Sequence, residues 1–298
     1  MEVAEVVVLD EETWRGHAAA HAERVDRYLT PHLERREARV EHPVHDFLFT
    51  YYSQRPAQLR RWHPGYGVGL AGSYEHTGKG YEVVSRHAPL APQPPVATVP
   101  PSYVRSQRPL VEALHRLLTA TAGRAPHYGC FGMHEWAMVY RLSEDETRHP
   151  DWPLRLGPAG TDEVVESHRI ACSHFDAFRF FTPPARSRNT LSPGREDRLS
   201  FEQPACLHAG MDLYKHAFRL SPMVPSELVA DCFELAWDIR VLDMRAAPYD
   251  LTDLGLDPVR VETTEGKAEY VAAQRGFAER GAPLRQRLVE ECERLLAV

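Results

Sequence analysis

The sequence predicts a mostly α chain with a small β-sheet, an α+β architecture folded as one body over residues 1–298. Three observations carry that expectation. A long charged stretch over 11–38 places Trp14, Val25, Tyr28, Leu29 and Leu33 near helical spacing. Three more helical stretches close the chain, at about 204–219, 226–245 and 264–296 with a break at Gly281. Only one segment, the Gly-rich and alternating 68–88, reads as a short hairpin. At 298 residues the chain is about as long as a single core can serve.

The remaining elements follow in order. His17 and His21 in the first helix are four apart, but the surrounding Arg and Glu make this a solvated face. The dense aromatic run 44–53 reads as buried helix. Pro56 then opens a helical turn that His63-Pro-Gly-Tyr-Gly67 stops. The prolines of 88–101 read as irregular chain, and that segment and the Pro, Ser, Arg and Gly-rich loop 182–204 are expected to cover a site. Helix resumes over 103–123, a tight loop spans 126–132, and 133–140 forms the next element. Thr161 with Asp162 and Glu163 marks a helix start, and 169–181 alternates as a buried strand.

Composition narrows the function classes. Hydrophobic residues make up 43% and charged residues 26%, a globular balance with no apolar run near the ~20 residues a membrane span needs. The acidic N-terminus lacks the basic start and small-residue cleavage site of a signal peptide, so the cytoplasm is the expected address. Five cysteines, at 130, 172, 206, 232 and 292, form no CxxC pair and read as reduced thiols. A net charge of −7 disfavours duplex DNA, whose affinity comes from cationic contacts to phosphate. The chain has no GxGxxG after a strand, no P-loop, no HExxH and no GxSxG. It does have sixteen histidines, several beside acids.

His208, Asp212 and His216 stand four apart and share one helix face, where His and Asp can hold a divalent metal or the acid can orient the ring. Cys206, Leu207, Met211 and Tyr214 around them are not a hydrated face, whereas Lys215 and Arg219 put His216 at the outer edge. His174 and Asp176, two apart on the expected strand, point to one side as two ligands of one ion or as buried hydrogen-bonding groups. His134-Glu135 follows a glycine loop and His45-Asp46 precedes the aromatic run. Each pair can aim one member at a centre, and Glu135 or Asp46 is the candidate general base. Tyr51, Tyr52 and Arg61 can clamp a planar or anionic substrate, with Trp136, Arg179 and Tyr214 as further lining. Cys130, four before His134, is a candidate nucleophile.

The phrases His45-Asp-Phe-Leu-Phe-Thr-Tyr-Tyr52, Arg55-Pro-Ala-Gln-Leu-Arg-Arg-Trp-His-Pro-Gly65, Met133-His-Glu-Trp-Ala-Met-Val-Tyr140 and Leu242-Asp-Met-Arg-Ala246 resemble an actinobacterial family of about this length. Its members carry the label 3-methyladenine DNA glycosylase, and the resemblance covers most of the chain. It implies a damaged purine held in an aromatic pocket with a carboxylate, and DNA as partner.

The leading expectation from the residues is a metal-assisted enzyme, a hydrolase acting on a small planar or anionic substrate. Its zinc, iron or manganese ion would rest on His174, Asp176 and His208, with Asp212 or His134, and Glu135 or Asp46 would move the proton. Three alternatives stay open: a metal-free N-glycosylase using Glu135, Asp46 or Asp176, a non-heme iron oxygenase, and a noncatalytic ligand-binding protein. No membrane partner is expected.

Overall fold

Asp10 sets the start of the first long helix. Its carboxylate accepts the Thr13 N–H at 2.7 Å, and Glu11 and Glu12 follow in the first turn, where acids suit the helix dipole. In the computed structural model, which describes residues 6–52, 54–78, 80–84, 94–147 and 149–298, this helix is α1 (Glu11–Ala38). It buries Trp14, His21, Val25, Leu29 and His32 along one stripe and ends on Arg39 in the left-handed region. His17 and His21 hold no common ligand: His17 stacks on Trp62, and the His21 Nε2 lies 2.8 Å from the Leu59 carbonyl.

The sheet has four strands, β1 (Val7–Leu9), β2 (Val68–Ala71), β3 (Glu82–Val84) and β4 (Val96–Thr98), in the order β1-β2-β4-β3. β1 runs parallel to β2, whereas β4 is antiparallel to both its neighbours. Two expectations are corrected here. β2 and β3 do not close a hairpin, because β4 lies between them, and residues 96–98 of the proline-rich stretch are strand rather than irregular chain. Pro94, Pro95, Pro100 and Pro101 flank β4 without interrupting it, so its three N–H groups stay available for the ladder. Residues 88–93 of that stretch lie outside the described residues. Gly69 permits the close pairing, since a Cβ there would stand 2.5 Å from Val96 Cγ1.

Short helices follow the aromatic run, α2 (Phe47–Tyr51) and α3 (Pro56–Arg60). The expected 103–123 helix is two, α4 (Pro101–Ser106) and α5 (Arg108–Ala122), because Pro109 has no N–H to continue the first and instead sits in the opening turn of the second. α6 (Met133–Ala137) leaves the tight loop at Gly132. α7 (Gly157–Ser167) begins four residues before Thr161, whose hydroxyl donates back to the Gly157 carbonyl.

The expected strand over 169–181 does not form. Only Ile170 bridges to another segment, at Asn189, and from His174 the chain enters α8 (Phe175–Phe178). The N–H groups of Phe178 and Arg179 bond to the carbonyls of His174 and Phe175, so this backbone satisfies itself locally without a partner strand. The expected loop 182–204 likewise contains α9 (Pro183–Arg186), a 3-10 turn over Arg195–Asp197 and α10 (Arg198–Phe201).

Three helices complete the chain: α11 (Leu207–Leu220), α12 (Ser226–Arg245) and α13 (Thr264–Leu296). α13 has no break at Gly281, which packs beside Leu235 and Leu213. The largest hydrophobic cluster runs from Val25 on α1 to Leu295 on α13 and contains Trp136, Met211, Tyr214 and Phe233. α11 is buried on nearly every side, so its polar residues need protein partners. Among the described residues no helix is long and apolar enough to cross a membrane.

Gly210 sets how closely α11 approaches α12, since a Cβ there would lie 2.8 Å from Ile239 Cδ1. Gly210→Ala is expected to be close to neutral, because the Ile239 methyl can rotate away and alanine recovers ~1 kcal/mol of helix propensity. Gly210→Val is expected to cost about 1–3 kcal/mol in urea denaturation by forcing the helices apart.

Candidate functional site

α11 and α12 meet where each turns charged residues inward. On α11 His208 and Asp212 are one turn apart, and on α12 Arg240 and Asp243 are three apart and buried. Gly132, at φ 68°, swings the chain into α6 and delivers His134 and Glu135 to the same region. His174 comes from the start of α8, and Arg198 and Glu202 from α10 and its end.

Two sets of ligand-bearing side chains result. In the first, His134, His208 and Asp243 bring ligand atoms within 4.8 Å of one another. His134 Nε2 stands 2.9 Å from Asp243 Oδ1, yet the pair is not aligned as a hydrogen bond, and both buried atoms lack a hydrogen-bond partner. Arg240 Nη1 donates to the other Asp243 oxygen at 3.1 Å and lies 3.6 Å from Glu135 Oε1. The second set is His174, Glu202 and Asp212, also within 4.8 Å. His174 Nε2 stands 3.5 Å from Glu202 Oε1 and 3.5 Å from Asp212 Oδ2. The Arg198 guanidinium bonds Glu202 through Nε and Asp212 through Nη2, and Lys215 Nζ bridges Asp176 at 3.2 Å and Asp212 at 3.3 Å. The rings of His134, His208 and His174 form a continuous row, with centroids 4.5 Å and then 5.3 Å apart. Either set could hold a metal ion.

Burial and charge set the protonation of these groups. Burial, aided by the nearby His134, holds His208 well below its ordinary value, so its imidazole is neutral and able to ligate. Burial is the strongest influence on His134 and acts to lower it, but the contact with Asp243 and the Glu135 charge together outweigh it and raise this ring. Burial would raise Asp243, yet the His134 and Arg240 charges hold it below the usual carboxylate range. Burial opposes ionisation of Asp212 too, and His174 and Lys215 still keep it well below its usual value. Across both sets five carboxylates (Glu135, Asp176, Glu202, Asp212, Asp243) meet four permanent cations (Arg179, Arg198, Lys215, Arg240). One negative charge is left over while the histidines are neutral.

A cleft of about 480 Å³ opens onto the first set. Glu135, His208 and Arg240 form its floor, Phe47, Tyr51 and Phe180 its walls, and Asp176 and Arg179 lie at its rim. Phe47 and Tyr51 stack at 4.8 Å, and the Arg179 guanidinium covers the Phe180 ring at 4.2 Å.

The structure gathers some expected residues and disperses others. Glu135, His208, Tyr51 and Arg179 converge at the cleft, and His134 lies behind it against His208. His174 and Asp212 join the set behind it, with Tyr52, whose hydroxyl donates to Asp212 Oδ1 at 3.0 Å. His174 and Asp176 do not share a face as ligands of one ion. His174 is fully buried, whereas Asp176 on the first turn of α8 reaches the rim, because the helix rotates the pair apart. Asp46 lies in a neighbouring depression, where it accepts from Arg35 Nη2 at 2.6 Å and pairs with His32 at 2.8 Å. Burial raises its pKa, but these partners win and hold it low. Arg61 sits instead near His76 and Tyr81, each of which feels its charge. Trp136 and Tyr214 are core residues, the Trp136 indole donating to the Ala246 carbonyl at 2.8 Å. His216, expected near solvent, is 2% exposed, and burial pushes its ring down to about 3. The Cys130 thiol is raised by burial and is therefore a poor nucleophile at neutral pH.

Asp243, Arg240, Glu202, Arg198 and Lys215 are the site residues that sequence reasoning missed. A signal did exist for two of them: Arg240 and Asp243 continue the buried stripe of Cys232, Ala236 and Ile239, where a charged residue needs a partner. Comparison of the chain with protein families, with curated proteins and with solved structures finds no match in any of the three.

Two predictions follow from these contacts. Arg198→Met leaves Glu202 and Asp212 buried with less compensation and is expected to cost about 3–5 kcal/mol in chemical denaturation. Arg179→Met, at the exposed rim, is expected to cost less than about 0.5 kcal/mol. The second concerns His42, held at about 4 by burial, the stacked His45 ring and Arg35. The folded state keeps this ring neutral, so as pH falls from 6.5 toward 4 the unfolded chain binds a proton that the folded chain refuses, and stability is lost. Asn can still accept from the Val44 and His45 N–H groups, so His42→Asn is expected to show a smaller stability loss over that window than the unaltered protein.

Proposed function

We propose that this protein is a metal-assisted hydrolase acting on a small planar or anionic substrate bound in the cleft between α2 and α8. One observation carries the reading. Two buried atoms, His134 Nε2 and Asp243 Oδ1, meet each other at 2.9 Å with no hydrogen-bond partner among the described residues, next to a neutral His208 that lines the cleft together with Glu135. Buried polar atoms of this kind are rare unless something unseen satisfies them. Two imidazoles and one carboxylate would suit zinc, iron or manganese, which His134, His208 and Asp243 would hold.

A bound divalent ion would supply charge that polarises a substrate oxygen and acidifies water. The protein's own groups supply the rest. Glu135 Oε1, 3.6 Å from both His134 Nε2 and Arg240 Nη1, is placed to take a proton from water at the floor. Arg240 pins Asp243 and, with its Nη2 donating to the Pro43 carbonyl, ties α12 to the chain that precedes α2. The Phe47 and Tyr51 rings favour a flat substrate, and Arg179, paired with Asp176 at 3.3 Å, lines the cleft as a cation for an anionic group on it. The same two-His, one-carboxylate set also serves non-heme iron oxygenases, which metal identity and oxygen consumption separate from a hydrolase. The glycosylase that the sequence resembles would use this cleft and Glu135 without metal, and chelation separates it.

Elemental analysis of protein purified without chelator is expected to find zinc, iron or manganese near stoichiometry, and Asp243→Ala to lose it. Glu135→Gln is expected to retain the metal while hydrolysis of a panel of ester, amide and phosphate substrates falls about 10²–10⁴-fold. Less than about one-tenth of an equivalent in the unaltered protein would overturn the reading.

A further inference from the structure

We infer that the set behind the cleft, His174, Glu202 and Asp212, is a second divalent-cation site, so that the protein holds two ions at once in a row of three histidines. This inference rests on the reading above for its first ion and adds the second.

His174 carries it. The ring is fully buried, and neither of its nitrogens has a hydrogen-bond partner among the described residues. A buried imidazole with both nitrogens unsatisfied forfeits the hydrogen bonds it made to water, a cost that native interiors normally avoid. Its Nε2 nevertheless points at two carboxylate oxygens, each 3.5 Å away. That spacing is long for a hydrogen bond. It is close to the ~3.4 Å between neighbouring ligands of a tetrahedral ion with bonds of about 2.1 Å.

The cationic neighbours fit a holding role. Arg198 bonds the same two oxygens, Glu202 Oε1 and Asp212 Oδ2, that face His174. Each carboxylate oxygen has two lone pairs, so Glu202 Oε1 can accept from Arg198 and face an ion, whereas Asp212 Oδ2, which accepts from Arg198 and, at 3.3 Å, from Lys215, would exchange the Lys215 contact for the ion. Tyr52 donates to the remaining Asp212 oxygen, which fixes the plane of the carboxylate.

Charge then bears on the substrate. With Arg179 paired to Asp176, the surrounding residues carry one uncompensated negative charge, so one divalent ion already leaves a positive surplus beneath the cleft and a second enlarges it. Paired ions with that surplus select a substrate whose reacting group bears an oxyanion, such as a phosphoryl or carboxyl group.

The test is metal stoichiometry in the full chain, loaded with Mn²⁺, freed of excess by gel filtration, and read by elemental analysis and electron paramagnetic resonance. The expected result is two equivalents with an exchange-coupled signal. His174→Ala and the isosteric Glu202→Gln should each bring this to one uncoupled equivalent with the circular dichroism spectrum retained. Asp243→Ala should also leave one equivalent, now in the rear set. One equivalent that persists in His174→Ala and Glu202→Gln but is lost in Asp243→Ala would overturn the second site and leave the proposed function standing. One equivalent lost in all three variants would mean a single shared ion and would also overturn it. No equivalent in the unaltered protein would remove both readings together.

Discussion

Compensation of buried charge where α11 and α12 cross is the constraint on which the rest of this structure depends. Asp243 and His174 are wholly inaccessible and Asp212 and Glu202 nearly so. Ionised groups in such surroundings are tolerated only when partners meet them at hydrogen-bonding distance. Arg240, Arg198 and Lys215 are those partners: Arg240 and Lys215 come from α12 and α11, which apolar packing positions, whereas Arg198 comes from α10, which buries no residue. Gly210 lets α11 lie close on α12, and the core around Met211, Tyr214 and Phe233 locks the pair. The helices therefore hold their charged faces together because their apolar faces leave no other arrangement.

The same packing explains why short and irregular segments matter here. α6 is five residues long and α10 four, yet they bring His134, Glu135, Arg198 and Glu202 into the cluster. Neither would be stable alone, since isolated helices of that length are far below what water permits. α6 survives because Trp136 is buried beside it and its indole bonds the end of α12 through the Ala246 carbonyl. The segment before α11 is held by Arg124, whose guanidinium donates to the Leu199 and Glu202 carbonyls. A site assembled from such pieces is only as rigid as the long helices beneath it.

Much of the fold was legible along the chain. The bounds of α1 follow from Asp10 and the apolar stripe behind it, and α12 from Pro225 and Ser226. Legibility failed where two conformations share one hydrophobic pattern. Residues 169–181 alternate as a strand would, but a strand needs a neighbour to receive its N–H and C=O groups, and that neighbour is a property of the whole molecule. The proline-rich stretch failed in the opposite sense: three residues between prolines found a vacant lane between β2 and β3.

By itself the sequence determined the helical architecture and marked His208, Asp212, His134, Glu135 and His174 as candidates, because His and acid beside apolar residues are visible at helical spacing. Only the tertiary structure decided that His208 and Asp212, one turn apart, belong to different sets. It also decided that Asp243 and Glu202 complete those sets, and that Asp46 and Arg61 serve elsewhere. The physical reason is that ligand geometry is a matter of a few ångströms between groups far apart in the chain. Periodicity reports which way a side chain points along its own element, and it carries no information about what another element places opposite.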